Sequence, residues 1–166
     1  NDAPGPNDSG SDGADNGTGG DPDLDQLSGV TTYNASVLEF DFETVTDGIS
    51  FRYVFASEEY NEYVCSGFND VFGFFISGPG ISGPFSNNAE NIALVPSSGV
   101  YVGINTVNNG TVGTYGSIGG CGGPGDPGLS NTTYFVDNET LGGQSVQYDG
   151  FTTVLTAQAT LLPCEV

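Results

Sequence analysis

Basic residues are almost missing from this sequence of 166 residues, which has 21 Asp and Glu side chains but a single Arg, Arg52, and no Lys or His. Its formal net charge is therefore −20 at pH 7. Nucleic-acid binding needs cationic groups that replace phosphate counterions, and attraction to an anionic membrane needs them as well, so both are excluded. Histidine catalysis, His-ligated zinc and lysine Schiff bases are excluded because their residues are absent.

Long apolar runs are missing too, because no run approaches the ~20 residues that a membrane-spanning helix requires. We therefore expect no direct membrane insertion. Met is absent, and a chain that begins at Asn1 is typical of a mature exported protein whose leader has been removed. These features predict an extracellular location.

Two compositional blocks divide the chain. Residues 1–29 are rich in Asp and Gly, contain no cation, and have only Leu24 and Leu27 as sizeable apolar side chains. Such a block buries too little surface to offset its ordering entropy, so it predicts a flexible acidic arm. Within it, Asp21 followed by Pro22 predicts a short helical turn. Residues 30–166 are then the folded domain.

Apolar residues alternate with polar ones in the folded domain, which predicts β-strands. Residues 38–44 and 49–55 both alternate in this way and flank Asp47-Gly48, a favourable two-residue turn, so we expect a β-hairpin. That register places Glu43 opposite Arg52 and Phe42 opposite Tyr53. Further strands are expected at 71–77, 91–95, 100–107, 133–137, 145–149 and 151–162, and a short helix at 57–64. The predicted fold is all-β, an antiparallel β-sandwich of jelly-roll type with one short helix.

Three cysteines permit one internal disulfide. Cys65 and Cys121 both lie in Gly/Ser-rich loop sequence, where a crosslink would restrain the chain, and export favours oxidation. A Cys65–Cys121 disulfide and a set of buried reduced thiols remain alternatives.

The sequence FASEEYNEYVCSGFNDVFGFFISGPG at 55–80, together with DPDLDQL at 21–27 and YDGFTTVLTA at 148–157, resembles the choice-of-anchor L domain. That family occurs in secreted, cell-surface bacterial proteins and has no known enzymatic activity. Its members continue past the Pro-Cys-Glu motif at 163–165, so the resemblance implies either that the domain is truncated here or that its last strand comes from elsewhere, and a missing strand leaves an open edge. Neighbouring copies fill such edges by strand donation, for which 151–162 is a better donor sequence than the arm.

Acidic side chains form two candidate calcium sites. Hard oxygen ligands in loop sequence suit Ca²⁺, and converging carboxylates without cations are costly unless a metal neutralises them. A solvated tail and ordinary capping roles are the alternatives. The predicted ligands are Asp21, Asp23 and Asp25 in the arm, and Glu58, Glu59, Asn69 and Asp70 in the domain.

Glycans enter the predictions in two ways. Asn-x-Ser/Thr sequons in turn or loop sequence are predicted glycosylation positions, and they begin at Asn34, Asn109, Asn131 and Asn138. The alternative is that the high Asn, Ser and Thr content alone produces these sequons. Exposed tyrosines could also stack on sugar rings beside a calcium ion. The candidates are Tyr33, Tyr60, Tyr63, Tyr101 and Tyr115.

These observations predict a non-enzymatic extracellular structural protein. Copies of the chain would form a surface filament or layer through strand or arm docking, stabilised by Ca²⁺. The alternative is a calcium-dependent glycan-binding adhesin. A hydrolase that uses Glu58 or Glu59 with Asp70 or Asp149 as an acid/base pair is the weakest hypothesis.

Overall fold

The computed structural model describes residues 5–10, 13, 15–96, 98–122, 128–139 and 146–164. Strands and turns dominate these residues. One α-helix and nine short strands occur there: α1 (Pro22–Ser28), β1 (Gly48–Tyr53), β2 (Ala56–Ser57), β3 (Val71–Phe72), β4 (Phe75–Ile76), β5 (Glu90–Asn91), β6 (Val102–Gly103), β7 (Phe135–Asp137), β8 (Gly150–Thr152) and β9 (Leu155–Thr160).

Every pair of strands is antiparallel. The pairs are β1 with β9, β3 with β6 and β4 with β5, and β8 lies between β2 and β7 in a three-stranded sheet. No barrel closes among the described residues. The all-β antiparallel prediction is confirmed.

The predicted hairpin is wrong. β1 pairs with β9, in a register that places Arg52 opposite Thr156 rather than Glu43. This ladder extends backwards from β1, because the Leu161 N–H donates to the Asp47 carbonyl (2.9 Å) and the Cys164 N–H donates to the Thr44 carbonyl (2.8 Å). Residues 44–53 therefore lie beside 155–164, with bends at 45–47, and Asp47-Gly48 makes no hairpin turn.

Alternation of burial in β9 follows the sequence pattern. Leu155 and Ala157 are buried and Ala159 is partly buried, whereas Thr156, Gln158 and Thr160 are exposed. The single strand predicted over 151–162 is interrupted between β8 and β9, and both pieces pair within their own chain. β9 is therefore already used internally as a partner of β1.

The predicted helix at 57–64 is also wrong, because these residues form consecutive turns after β2. The Ser57 hydroxyl accepts a hydrogen bond from the Glu59 N–H (2.9 Å), as an N-cap residue would. Residues 108–122, which we call the Gly-rich loop, hold these turns in place. The Gly113 N–H donates to the Val64 carbonyl (3.0 Å) and the Tyr115 N–H donates to the Glu62 carbonyl (2.9 Å).

Two buried clusters form the core. One contains Tyr60, Val64, Cys65 and Ile104, and the other contains Val95, Val102, Val107 and Leu155. The rings of Phe55 and Phe135 pack against both clusters and join them. Aromatic pairs also attach β1 to the neighbouring strands, since Phe51 contacts Phe74 and Tyr53 contacts Phe72 with ring centroids 4.7 and 5.0 Å apart.

The predicted division into an arm and a domain stays a prediction, but the described parts of residues 1–29 contact the rest of the chain. Asn7 is 1% exposed, and its amide donates to the Asn138 carbonyl (2.8 Å) and the Asp149 carboxylate (2.9 Å). The predicted turn at 21–27 is present as α1, which lies beside β3.

Candidate functional sites

The three predicted ligands in α1 each have a separate protein partner. Asp21 caps the helix by accepting from the N–H groups of Asp23 (2.9 Å) and Leu24 (3.1 Å). The Asp23 carboxylate accepts from the Ser86 N–H (3.0 Å) and hydroxyl (2.9 Å). Each of these carboxylates thus has a structural role in holding α1.

Asp25, the third predicted ligand of the arm, also has a protein partner. Its carboxylate accepts from the Thr32 N–H (2.6 Å) and hydroxyl (2.7 Å), and these hydrogen bonds lower the pKa of Asp25 below its ordinary value. In the described part of the chain, no three His, Cys, Asp or Glu side chains are grouped so that they could hold a metal ion. Calcium at either predicted site stays a prediction.

The second acidic cluster surrounds Glu59, in the turns that follow β2. Glu59 and its neighbour Glu58 are both partly buried. Burial, followed by the charges of Asp70, Glu62 and Asp149, raises the pKa of Glu59 to about 7. A carboxyl group that keeps its proton near neutral pH reduces the local negative charge, which a bound divalent cation would also do.

Asp149 joins this cluster from the strand side, immediately before β8. It is 2% exposed, and burial raises its pKa to about 6, with smaller contributions from the charges of Glu62, Glu139 and Asp137. The hydrogen bond from Asn7 acts in the opposite direction by stabilising the carboxylate. The structure therefore assembles an acidic cluster from three parts of the chain that are far apart in sequence.

Asn69 and Asp70, the remaining predicted ligands, have different neighbours. The Asp70 carboxylate accepts from the Ser57 hydroxyl (2.8 Å), which places it beside the Glu59 cluster. The Asn69 amide instead donates to the Tyr101 hydroxyl (3.0 Å) and accepts from the Asn105 N–H (3.0 Å). Asn69 thus fixes the 101–105 segment.

The predicted glycosylation positions fall into two groups. Asn34 and Asn109 are exposed. Asn131 is 4% exposed and its amide donates to the Thr106 carbonyl, whereas Asn138 is 2% exposed and its amide donates to the Val146 and Tyr148 carbonyls. A glycan attached to Asn131 or Asn138 would displace these contacts, so the geometry favours Asn34 and Asn109.

The predicted disulfide and two of the predicted tyrosines line one cleft. Cys65 and Cys121 are joined by a disulfide, whereas Cys164 is free and exposed. A cleft of about 380 Å³ lies over this disulfide and is lined by Tyr101 and Tyr115 among other residues. Of the predicted stacking tyrosines, Tyr33 and Tyr115 are exposed; Tyr60 and Tyr101 are buried, contrary to expectation.

A further surface consists of residues 37–43, which we call the unpaired segment. Its sequence alternates as a strand does, yet none of its residues lies in a described strand. Leu38 is 87% exposed and Phe40 is 52% exposed. An exposed apolar strand sequence is a typical site of pairing with another chain.

Comparison with known families settles the family. The sequence matches the choice-of-anchor L domain over residues 1–166, the whole chain. The chain belongs to this family. No curated protein and no solved structure gave a match.

The choice-of-anchor L assignment identifies a secreted or cell-surface bacterial protein, and the family is not a known enzyme family. The disulfide agrees with an oxidising location outside the cytoplasm. Within the described residues, no helix has the length and apolar character that crossing a bilayer requires.

Two features of this choice-of-anchor L domain were not predicted from the sequence, and only one of them could have been. The docking of Asn7 on Asp149 joins residues 142 positions apart, for which no local pattern exists. The cleft, by contrast, could have been predicted, because a Cys65–Cys121 disulfide necessarily brings residues near 115–121 beside residues near 65–69.

Proposed function

We propose that this choice-of-anchor L protein is a non-enzymatic subunit of a bacterial surface filament or layer, in which copies join by strand addition. The observation that carries the proposal is the unpaired segment, a strand sequence in which Val37, Leu38 and Phe40 are exposed to solvent and Phe42 is partly buried. We assign it as the strand that one copy donates to β1 of the next.

The unpaired segment cannot reach β1 of its own chain as a hairpin strand. Residues 44–47 already run beside residues 161–164, as the hydrogen bonds from Leu161 and Cys164 require. The chain therefore bends at 45–47 but does not reverse between the unpaired segment and β1. Among the described strands, β1 is paired with β9 alone, so its second edge is available to a strand from another copy.

The register predicted from the sequence suits pairing between copies. It would place Phe42 opposite Tyr53 on the inward side of β1, and Glu43 opposite Arg52 on its exposed side. The one cation of each chain would then meet an acid of its neighbour. Because the donated strand and the accepting edge are different surfaces, the contact is heterologous, and it extends into an open chain of copies where the rotation between copies does not close a ring.

The negative net charge of the chain is the reason why we include calcium in the proposal. Each copy carries a formal charge of −20, so copies repel one another over about a Debye length. A divalent cation that binds carboxylates reduces this repulsion, and the acidic cluster around Glu59 and the exposed acids of the unpaired segment are its candidate sites. We therefore expect assembly to require Ca²⁺ and to reverse with a chelator.

A charge exchange between Glu43 and Arg52 tests this pairing. Light scattering and negative-stain microscopy, with and without Ca²⁺, would follow assembly of the wild type, Arg52→Glu, Glu43→Arg and the double variant. Each single variant should lose most of its assembly because like charges then face each other, and the double variant should recover it.

Glu39→Arg is the matched control, since it makes the same change of charge as Glu43→Arg at a position that does not face Arg52. It should assemble at least as well as the wild type. A wild type that stays monomeric at every concentration of protein and Ca²⁺ would overturn the proposal, as would equal loss in Glu39→Arg and Glu43→Arg.

A further inference from the structure

The cleft above the Cys65–Cys121 disulfide has the size and lining of a small-ligand site. Its volume of about 380 Å³ lies within the range of roughly 300–1,000 Å³ that such sites occupy. Its walls come from the residues after α1, from the 65–69 and 101–105 segments and from the loop at 115–122. None of these residues is part of the unpaired segment or of β1.

The lining is polar but uncharged. Although the chain contains 21 acidic residues, the described residues that line the cleft include no Asp, Glu or Arg. They contribute hydroxyl and amide groups instead: those of Ser66, Ser117, Asn69 and Tyr115 are at least partly exposed, whereas Asn105 and Tyr101 are buried beneath them. This chemistry suits a neutral ligand that has many hydroxyl groups, and it offers no carboxylate to a metal ion.

Tyr115 lines the cleft and is the end of an aromatic row that continues outside it. The Tyr115 ring stacks on Tyr63, with centroids 5.0 Å apart and planes inclined by 27°, and Tyr63 in turn meets the Phe68 ring edge-on at 5.3 Å. Tyr115 and Phe68 are each 66% exposed. Tyr63 thus holds Tyr115 in place while most of the Tyr115 side chain stays exposed, which leaves an apolar aromatic surface for a ligand.

The floor of the cleft is already ordered. The Asn105 side chain accepts from the Cys65 N–H (2.6 Å) and donates to the Ser66 carbonyl (2.9 Å), and the Ser117 N–H donates to the Cys65 carbonyl (2.9 Å). A Cβ atom at Gly120 would collide with that same carbonyl group, so the loop can approach so closely only with glycine there. A site that is ordered before binding loses little entropy when a ligand enters.

We propose that this cleft binds a neutral saccharide without Ca²⁺, with one sugar ring stacked on Tyr115 and its hydroxyl groups directed to Ser66, Ser117 and Asn69. The proposal stands apart from strand addition, since the two use different residues. A single domain could then bind a neighbouring copy at one surface and a glycan at another.

Tyrosine fluorescence and isothermal titration calorimetry on the full chain would test it. The probes are neutral tetrasaccharides of the cello-, xylo-, malto- and chito- series, with tetragalacturonate as the charged comparison, each titrated in Ca²⁺ and in EDTA. At least one neutral probe should bind equally in both buffers, and tetragalacturonate should bind more weakly.

Tyr115→Ala should raise the dissociation constant about tenfold, whereas Tyr115→Phe should keep most of the affinity because the stacking face remains. Tyr33→Ala, which removes another exposed tyrosine outside the cleft, should leave binding unchanged. Near-ultraviolet circular dichroism would show that each variant is folded. Absence of binding to all four neutral probes, binding that EDTA abolishes, or equal affinity in Tyr115→Ala would each overturn the proposal.

Discussion

Individual carboxyl groups in this protein have properties that depend on contacts far away in sequence. The cap at Asp21 could be predicted, because Asp followed by Pro acts on the N–H groups two and three residues onward. The environment of Glu59 could not, since it depends on Asp149, which only the tertiary fold brings near. Sequence reasoning therefore placed Glu59 in an acidic cluster but named Asp149, which directly precedes β8, only as an acid/base partner of the hydrolase hypothesis and not as a member of that cluster.

The raised pKa values predict that stability falls as pH rises from mildly acidic to neutral. Glu59 has a pKa of about 7 in the folded protein against 4.5 for an unperturbed group, so the folded state binds its proton more tightly than the unfolded state does. The resulting stabilisation is complete below the pKa that Glu59 has in the unfolded chain, and it is lost as pH rises through the pKa that Glu59 has in the folded protein. Asp149, raised from 3.8 to about 6, acts in the same direction.

Thermal unfolding should accordingly show a higher Tm near pH 5 than near pH 8, the two sides of this titration. Glu59→Gln should raise the Tm at the higher pH and weaken the pH dependence. Glu39→Gln removes one exposed carboxylate elsewhere and is the control. A Glu59→Gln protein with the pH profile of the wild type would contradict this account.

Among the structural elements, the buried face of a strand could be predicted from the sequence more reliably than the strand with which it pairs. The apolar residues that alternate along β9 are the ones that are buried or partly buried, because the two faces of a single strand follow from its own geometry. The same alternation says nothing about which strand lies alongside, and the favourable turn sequence Asp47-Gly48 led to a local partner. The actual partner of β1 is more than one hundred residues away, and the tertiary contacts of that pairing override the turn preference.

The crosslink between the turns after β2 and the Gly-rich loop predicts a large contribution to stability. The disulfide spans 56 residues, and loop closure of that length in the unfolded chain corresponds to about 4 kcal/mol. Cys65→Ser with Cys121→Ser, or reduction of the wild type, should lower the free energy of unfolding in urea by an amount of this order.

Cys164→Ser is the matched control for the disulfide, because Cys164 is free and exposed. Its free energy of unfolding should equal that of the wild type. If the double serine variant unfolded at the urea concentration of the wild type, the loop would be held by its backbone hydrogen bonds alone.

For the whole molecule, the charge predicts marked sensitivity to salt. With a formal charge of −20, the folded chain repels itself more strongly than the expanded one. Raising NaCl from about 10 mM to about 150 mM shortens the Debye length from about 30 Å to about 8 Å and should raise the Tm.

Comparison at equal ionic strength separates screening from binding. If Ca²⁺ only screens charge, CaCl₂ and NaCl solutions of the same ionic strength should give the same Tm. We expect a higher Tm in Ca²⁺, because ligands that bind the folded state stabilise it by mass action. Equal values would remove calcium from the proposed assembly while leaving strand addition open to test.

The position of Arg52 has a consequence for survival outside the cell. Because the chain has no lysine, the peptide bond after Arg52 is the only one that a trypsin-like protease would recognise. That bond lies within β1, where the backbone is paired with β9. Digestion by such enzymes must therefore wait until this ladder opens, and the rate at which they cut the chain reports how often it does.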